Sequence, residues 1–149
     1  MDLSDLQRSA KGSITARVCV VLDGFAFPER AWSDLVVVVL GWWIEELLRP
    51  QSIDERTMTL SFIDGPYSVR LRARDAGEWS VSLVRDAGPT AGKGEVGVIE
   101  RAQFAASLLA AAREVVAACR ARGWSEDREV RKLAALTEEL AEKAHQEAI

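Results

Sequence analysis

The stretch "TMTLSFIDGPYSVRLRARDAGEWSVSL", residues 57–83, decides the fold. Met58, Leu60 and Phe62 alternate with Thr57, Thr59 and Ser61, and Asp64-Gly65 then turns the chain. Tyr67, Val69, Leu71 and Ala73 alternate with Ser68, Arg70, Arg72 and Arg74. A second turn at Ala76-Gly77 leads into Trp79, Val81 and Leu83, which alternate with Ser80 and Ser82. Side chains on a strand point to opposite faces in turn. A period of two repeated across two glycine turns is therefore an antiparallel meander with one apolar face. Its other face carries Ser, Thr and a row of three arginines.

Upstream, "ITARVCVVL" also alternates, with Ile14, Ala16, Val18, Val20 and Leu22 on one side and Thr15, Arg17 and Cys19 on the other. It reads as a half-buried strand that stops at Asp23-Gly24. The segment "FPERAWSDLVVVVLGWWIEELLRP" carries two signals. Four consecutive valines favour a strand. Ser33-Asp34 as an N-cap, the Glu45 to Leu48 run and Pro50 as a stop favour a helix. The reading is a mostly buried helix from about 34 to 48, against a strand at 35–40 followed by a short helix. Its apolar residues cover more than one stripe, so it is expected to be enclosed on most sides, Trp42 and Trp43 included.

Downstream, "DAGPTAGKGE" reads as a loop and "VGVI" as a short edge strand. From Arg101, Phe104, Leu108, Ala111, Val115 and Cys119 follow three- and four-residue spacing, and Gly123 ends that helix. Ser125, with Glu126 and Asp127, caps the next, whose apolar seam is Val130, Leu133, Thr137, Leu140 and Ala144. The fold class is α+β: an antiparallel sheet of about four strands with helices packed on one face. Residues 1–12 read as a flexible N-terminal arm and 13–149 as a single domain.

The chain has 149 residues, enough for one core without a disulfide or metal staple. It carries 19 basic and 23 acidic residues, a net charge of -4, and neither half is strongly basic. Binding to nucleic acid or to an anionic membrane through charge neutralisation is therefore disfavoured. The apolar run Leu35 to Ile44 is half a membrane span, and the polar N-terminus shows no secretory signal. A cytoplasmic location is expected. Cys19 and Cys119 form no metal-like pair and fall on opposite phases of their elements, so no bridge is expected.

No constellation of chemistry-bearing residues emerges, and neither a catalytic residue, a cofactor nor a metal is expected. "GKGEVG", residues 92–97, matches G-x-G-x-x-G but sits late in the chain, outside a βαβ unit, and reads as a flexible loop. "GPTAGK" is one residue short of a phosphate loop, and Gly94 stands where its hydroxyl residue would be. His145, the one histidine, lies near the end of a terminal helix, which holds a catalytic base poorly. The adjacent carboxylates Glu45-Glu46, Asp54-Glu55, Glu126-Asp127 and Glu138-Glu139 read as solvated faces and helix ends. The row Arg70, Arg72 and Arg74 carries two readings. It is either a solvated face whose arginines pair with Asp75, Glu78 or helix carboxylates, or a partner-binding face, where arginine is enriched.

The segments "DGFAFPERAWSDLVVVVLGWW" (23–43), "FIDGPYSVRL" (62–71) and "RGWSED" (122–127), in an acidic, tryptophan-rich α+β chain, resemble small bacterial immunity proteins that neutralise a co-encoded polymorphic toxin. The resemblance implies a cytoplasmic, non-catalytic protein that binds a cognate toxin domain and blocks its active site or a needed motion. A second reading is a secretion chaperone for an effector, forming a homodimer through the amphipathic helix 126–147. A third is a small enzyme.

Overall fold

The computed structural model describes residues 1–50, 57–74, 77–86 and 92–147, with 92–95 described by backbone alone. The expected turn residue Ala76, the proposed ion-pair partner Asp75 and the pair Asp54-Glu55 lie outside the described residues. The class is α+β. Strands β6 (Thr57–Ser61), β7 (Tyr67–Ala73), β8 (Glu78–Arg85) and β9 (Gly92–Glu100) form one antiparallel sheet in the order β6-β7-β8-β9. Sequence neighbours pair throughout, as the alternating pattern requires. Met58, Leu71 and Val81 stand in register on the inner face, and so do Leu60, Val69 and Leu83. The turn at 64–65 needs its glycine. Gly65 has φ +107, and a Cβ there would lie 3.0 Å from the Trp32 ring and 3.2 Å from the Tyr67 ring.

The valine run is helical: α1 spans Val36–Leu48. Its β-branched residues are poor helix formers in isolation, but Val36, Val37, Val39, Leu40, Trp43, Ile44 and Leu47 are all buried, and tertiary packing overrides the propensity. Two expectations are corrected here. Trp42 is 43% exposed, whereas Trp43 is 3% exposed, so the enclosure covers one tryptophan of the pair. Ser33-Asp34 is not the N-cap. These two residues form strand β5 (Ser33–Asp34), and the N-cap of α1 is Leu35, which makes no side-chain cap.

The expected strand 14–22 is two strands with different partners. β2 (Ile14–Arg17) lies between β1 (Gln7–Arg8) and β5. β3 (Val20–Leu22) pairs with β4 (Phe25–Phe27) in a separate hairpin. The apolar phase holds across the break, with Ile14, Ala16 and Val18 buried. The first twelve residues are docked against the domain: Leu6 is 3% exposed, Arg122 donates to its carbonyl, and Arg8 reaches Asp127 at 3.2 Å.

β9 is nine residues long and takes in "GKGEVG", so that stretch is strand backbone, not a loop; the remainder of the expected loop, 87–91, lies outside the described residues. Two helices follow, α2 (Arg101–Ala121) and α3 (Arg128–Glu147). α2 has the length and apolar composition of a membrane span, yet Leu108, Ala112, Val115, Val116 and Cys119 are buried in the core. The α3 cap is Asp127, not Ser125: its Oδ1 accepts the N–H groups of Glu129 at 2.9 Å and Val130 at 3.3 Å. Val130, Leu133, Thr137 and Leu140 are buried, while Ala144 is exposed. One core joins α1, α2 and α3 to Met58, Leu60, Val69, Leu71, Trp79 and Val81 of the inner sheet face.

Candidate functional site

The helices occupy the inner face, so the outer face of the sheet is left with the polar phase of each strand. On β7 that phase is Ser68, Arg70 and Arg72; on β8 it is Ser80, Ser82 and the buried Val84; on β6 it is Thr57, Thr59 and Ser61. Arg72 is exposed and Arg70 half-buried. Neither guanidinium has an ion-pair or hydrogen-bond partner among the described residues, so the pairing of Arg70 and Arg72 with helix carboxylates is not what the fold provides. Arg74 differs. It lies just past the end of β7, where its N–H donates to the Glu78 carbonyl at 2.7 Å, and the residue makes a further interaction there. The structure thus sets two of the three arginines side by side on the outer face and the third at its margin.

One row of this face crosses all four strands: Thr57, Arg72, Ser80 and Val98 are in register. Ser80 is 7% exposed, so it lies low between taller neighbours, and its hydroxyl donates to the Arg72 carbonyl at 3.4 Å. On the far side Val96 and Val98 are 50% and 40% exposed. They lie beside a bulge in the β8–β9 ladder at Val81/Ser82. The sequence reading placed these valines on a short edge strand but not on this face, because which row Val98 joins is set by the β8–β9 register and not by the local pattern.

The remaining chemistry-bearing groups are dispersed. Among the described residues, no three His, Cys, Asp or Glu side chains lie together as a metal site would need. His145 is exposed on α3. Cys19 is half-buried and Cys119 buried, both are free, and burial pushes both thiols above the ordinary value. A cavity of about 330 Å³ opens between the ends of the three helices, floored by Leu47, Ala105 and Leu140. Its cations are engaged: Arg101 pairs with Glu147 at 3.1 Å and lies over the Trp79 ring, and Lys143 donates to the Leu47 carbonyl.

No family model matches this chain, and neither a curated protein nor a solved structure does.

Proposed function

We propose that this chain is a non-catalytic protein-binding domain, an immunity-type inhibitor that neutralises a cognate toxin by direct contact through its outer sheet face. The observation that carries this reading is the pair Arg70 and Arg72. Two like charges on one strand repel each other, and the described structure offers them no counter-charge. A fold that needed only a solvated face is served as well by Ser or Thr, as at Thr57, Thr59, Ser80 and Ser82. Arginine presented without an internal partner suits recognition, since it contributes disproportionately to protein interfaces.

The secretion-chaperone reading relies on α3 as a dimerisation helix. The seam it would use, Val130, Leu133, Thr137 and Leu140, is buried against the chain's own core. That observation favours the inhibitor reading.

The test is co-expression with the polypeptide encoded beside this chain. Rescue of cell growth, a purified one-to-one complex, and affinity that falls in the Arg70→Ala/Arg72→Ala variant by calorimetry are expected. A neighbour that is a harmless secreted effector, kept soluble by a dimer of this chain, would establish the chaperone reading instead.

A further inference from the structure

The outer face is not uniform across its strands. β7 raises Arg70 and Arg72, β8 sets the short Ser80 and Ser82 beside them with the buried Val84 further along, and β9 raises Val96 at the bulge and Val98, while the backbone of Glu95 stands level with Ser82. The result is a shallow trough along β8, with a basic wall, a hydroxyl floor and an apolar wall. Arg72 and Val98 stand two strands apart, roughly 10 Å at the usual strand spacing. An α-helix, roughly 10 Å across with its side chains, can therefore rest over β8 and touch both walls at once. Along β7, Arg70 and Arg72 are two residues apart, about 7 Å. Carboxylates at i and i+4 of a helix rise about 6 Å along its axis, close to the same interval.

We infer that the trough docks one amphipathic acidic helix of the partner protein, with carboxylates at i and i+4 on Arg70 and Arg72 and an apolar side chain on Val96 and Val98. This rests on the reading of the outer face as the binding face and adds the chemistry of what it binds. Charge complementarity selects the occupant. Among the described residues no side chain pairs with Arg70 or Arg72, so carboxylates of a partner suit them. A strand added at the β9 edge would leave both arginines uncovered. The bulge beside Val96 also disturbs the ladder that such a strand would extend.

The experiment titrates the isotopically labelled full chain with two synthetic helical peptides of about 15 residues, one turn-matched pair of Glu in the first replaced by Gln in the second. Resonances are followed for the Nε–H groups of Arg70 and Arg72 and the amides of Ser80, Ser82 and Val98. The Glu peptide is expected to shift this set and saturate. Its affinity should exceed that of the Gln peptide by roughly fivefold, about what two exposed ion pairs supply. The difference should vanish at roughly 0.5 M NaCl, where the screening length is a few ångströms. Equal affinity of the two peptides at these resonances overturns the acidic-helix inference and leaves the binding face standing. Shifts that avoid the outer face, or none at all, overturn the trough as a docking site. The inhibitor reading is judged separately, by co-expression with the neighbouring polypeptide.

Discussion

Oδ2 of Asp34 lies 3.0 Å from the backbone nitrogen of Ile63, twenty-nine residues further along the chain. The same carboxylate accepts from the Asp64 N–H at 3.1 Å, from the Trp32 indole at 3.1 Å and from its own neighbour Leu35 at 2.7 Å. Asp34 is 2% exposed, so its charge is held by these donors and not by water. It thus ties the entry of α1 to the turn that joins β6 to β7. Asp34→Ala leaves several buried donors without an acceptor, and a loss of about 3 kcal/mol is expected, at 1–3 kcal/mol per orphaned group with partial relaxation. Asp34→Asn keeps one acceptor oxygen and should fall between. Urea midpoints measure this; an alanine variant within roughly 0.5 kcal/mol of the parent would show the carboxylate to be incidental.

Adjacent tryptophans on α1 separate cleanly. Trp43 is buried, its indole donates to the Ser61 carbonyl at 2.9 Å, and it meets Phe62 edge-on at 5.2 Å. Trp43→Ala should cost about 3–5 kcal/mol, the range for emptying an aromatic core site. Trp42 is 43% exposed, and Trp42→Ala should cost well under 2 kcal/mol, since little apolar contact is lost at a half-open site. Thermal midpoints of the two variants are compared directly; equal losses would contradict the orientation of the helix.

How far these elements were legible follows from what encodes them. The meander and the seams of α2 and α3 are written as simple periods, and Leu108, Val115, Cys119, Val130, Leu133 and Leu140 all fall where the period puts them. The orientation of α1 is not written locally. A helix apolar on most sides gives no phase, and only the presence of α3 at Gly41 and of Ser61 at Trp43 decides which tryptophan turns inward. Asp34 misled for a related reason: an acid before a helix reads as a cap, but here a distant turn claims its oxygens. The outer face was half legible. Arg70 and Arg72 follow from the period, whereas Val96 and Val98 gain meaning only through pairing across a glycine-rich strand.

The two thiols predict a pH response. Burial raises the pKa of Cys19 and of Cys119 above the ordinary 9.0, Asp127 adds to the rise at Cys119, and Arg30 and Arg122 oppose it at Cys19 and Cys119 respectively. A thiol with a raised folded pKa stays neutral in the fold while the unfolded chain ionises. Its contribution is thus complete below 9.0 and is lost as pH rises through the folded value. Denaturation midpoints should fall on the alkaline side of 9.0, and Cys119→Ala should reduce that fall. In the native state at neutral pH, a thiol reagent should react at Cys19 more slowly than with free cysteine, and at Cys119 slower still, because Cys119 is fully buried. Rapid labelling of Cys119 in the folded protein would contradict its packing between α2 and the core.

Asp127 joins two functions in one side chain, and they can be taken apart. Its Oδ1 caps α3 through Glu129 and Val130, while its Oδ2 accepts from Arg8 at 3.2 Å and so helps hold the first strand to the helical layer. Asp127→Ser keeps a capping oxygen and removes the charge. Asp127→Ala removes both. The capping bond is worth about 1 kcal/mol. The bridge to Arg8, whose side chain is 41% exposed, is worth a few tenths of a kcal/mol after screening by solvent. The alanine variant should therefore lose about 1 kcal/mol in urea denaturation, and the serine variant only a small part of that. Hydrogen exchange resolves the two further. Both variants should loosen the amides of β1, at Gln7 and Arg8, but only alanine should also loosen the first turn of α3. If serine and alanine prove equally destabilised, the ion pair and not the cap is what Asp127 supplies, and the N-terminal segment is held by charge far more than its exposed geometry allows.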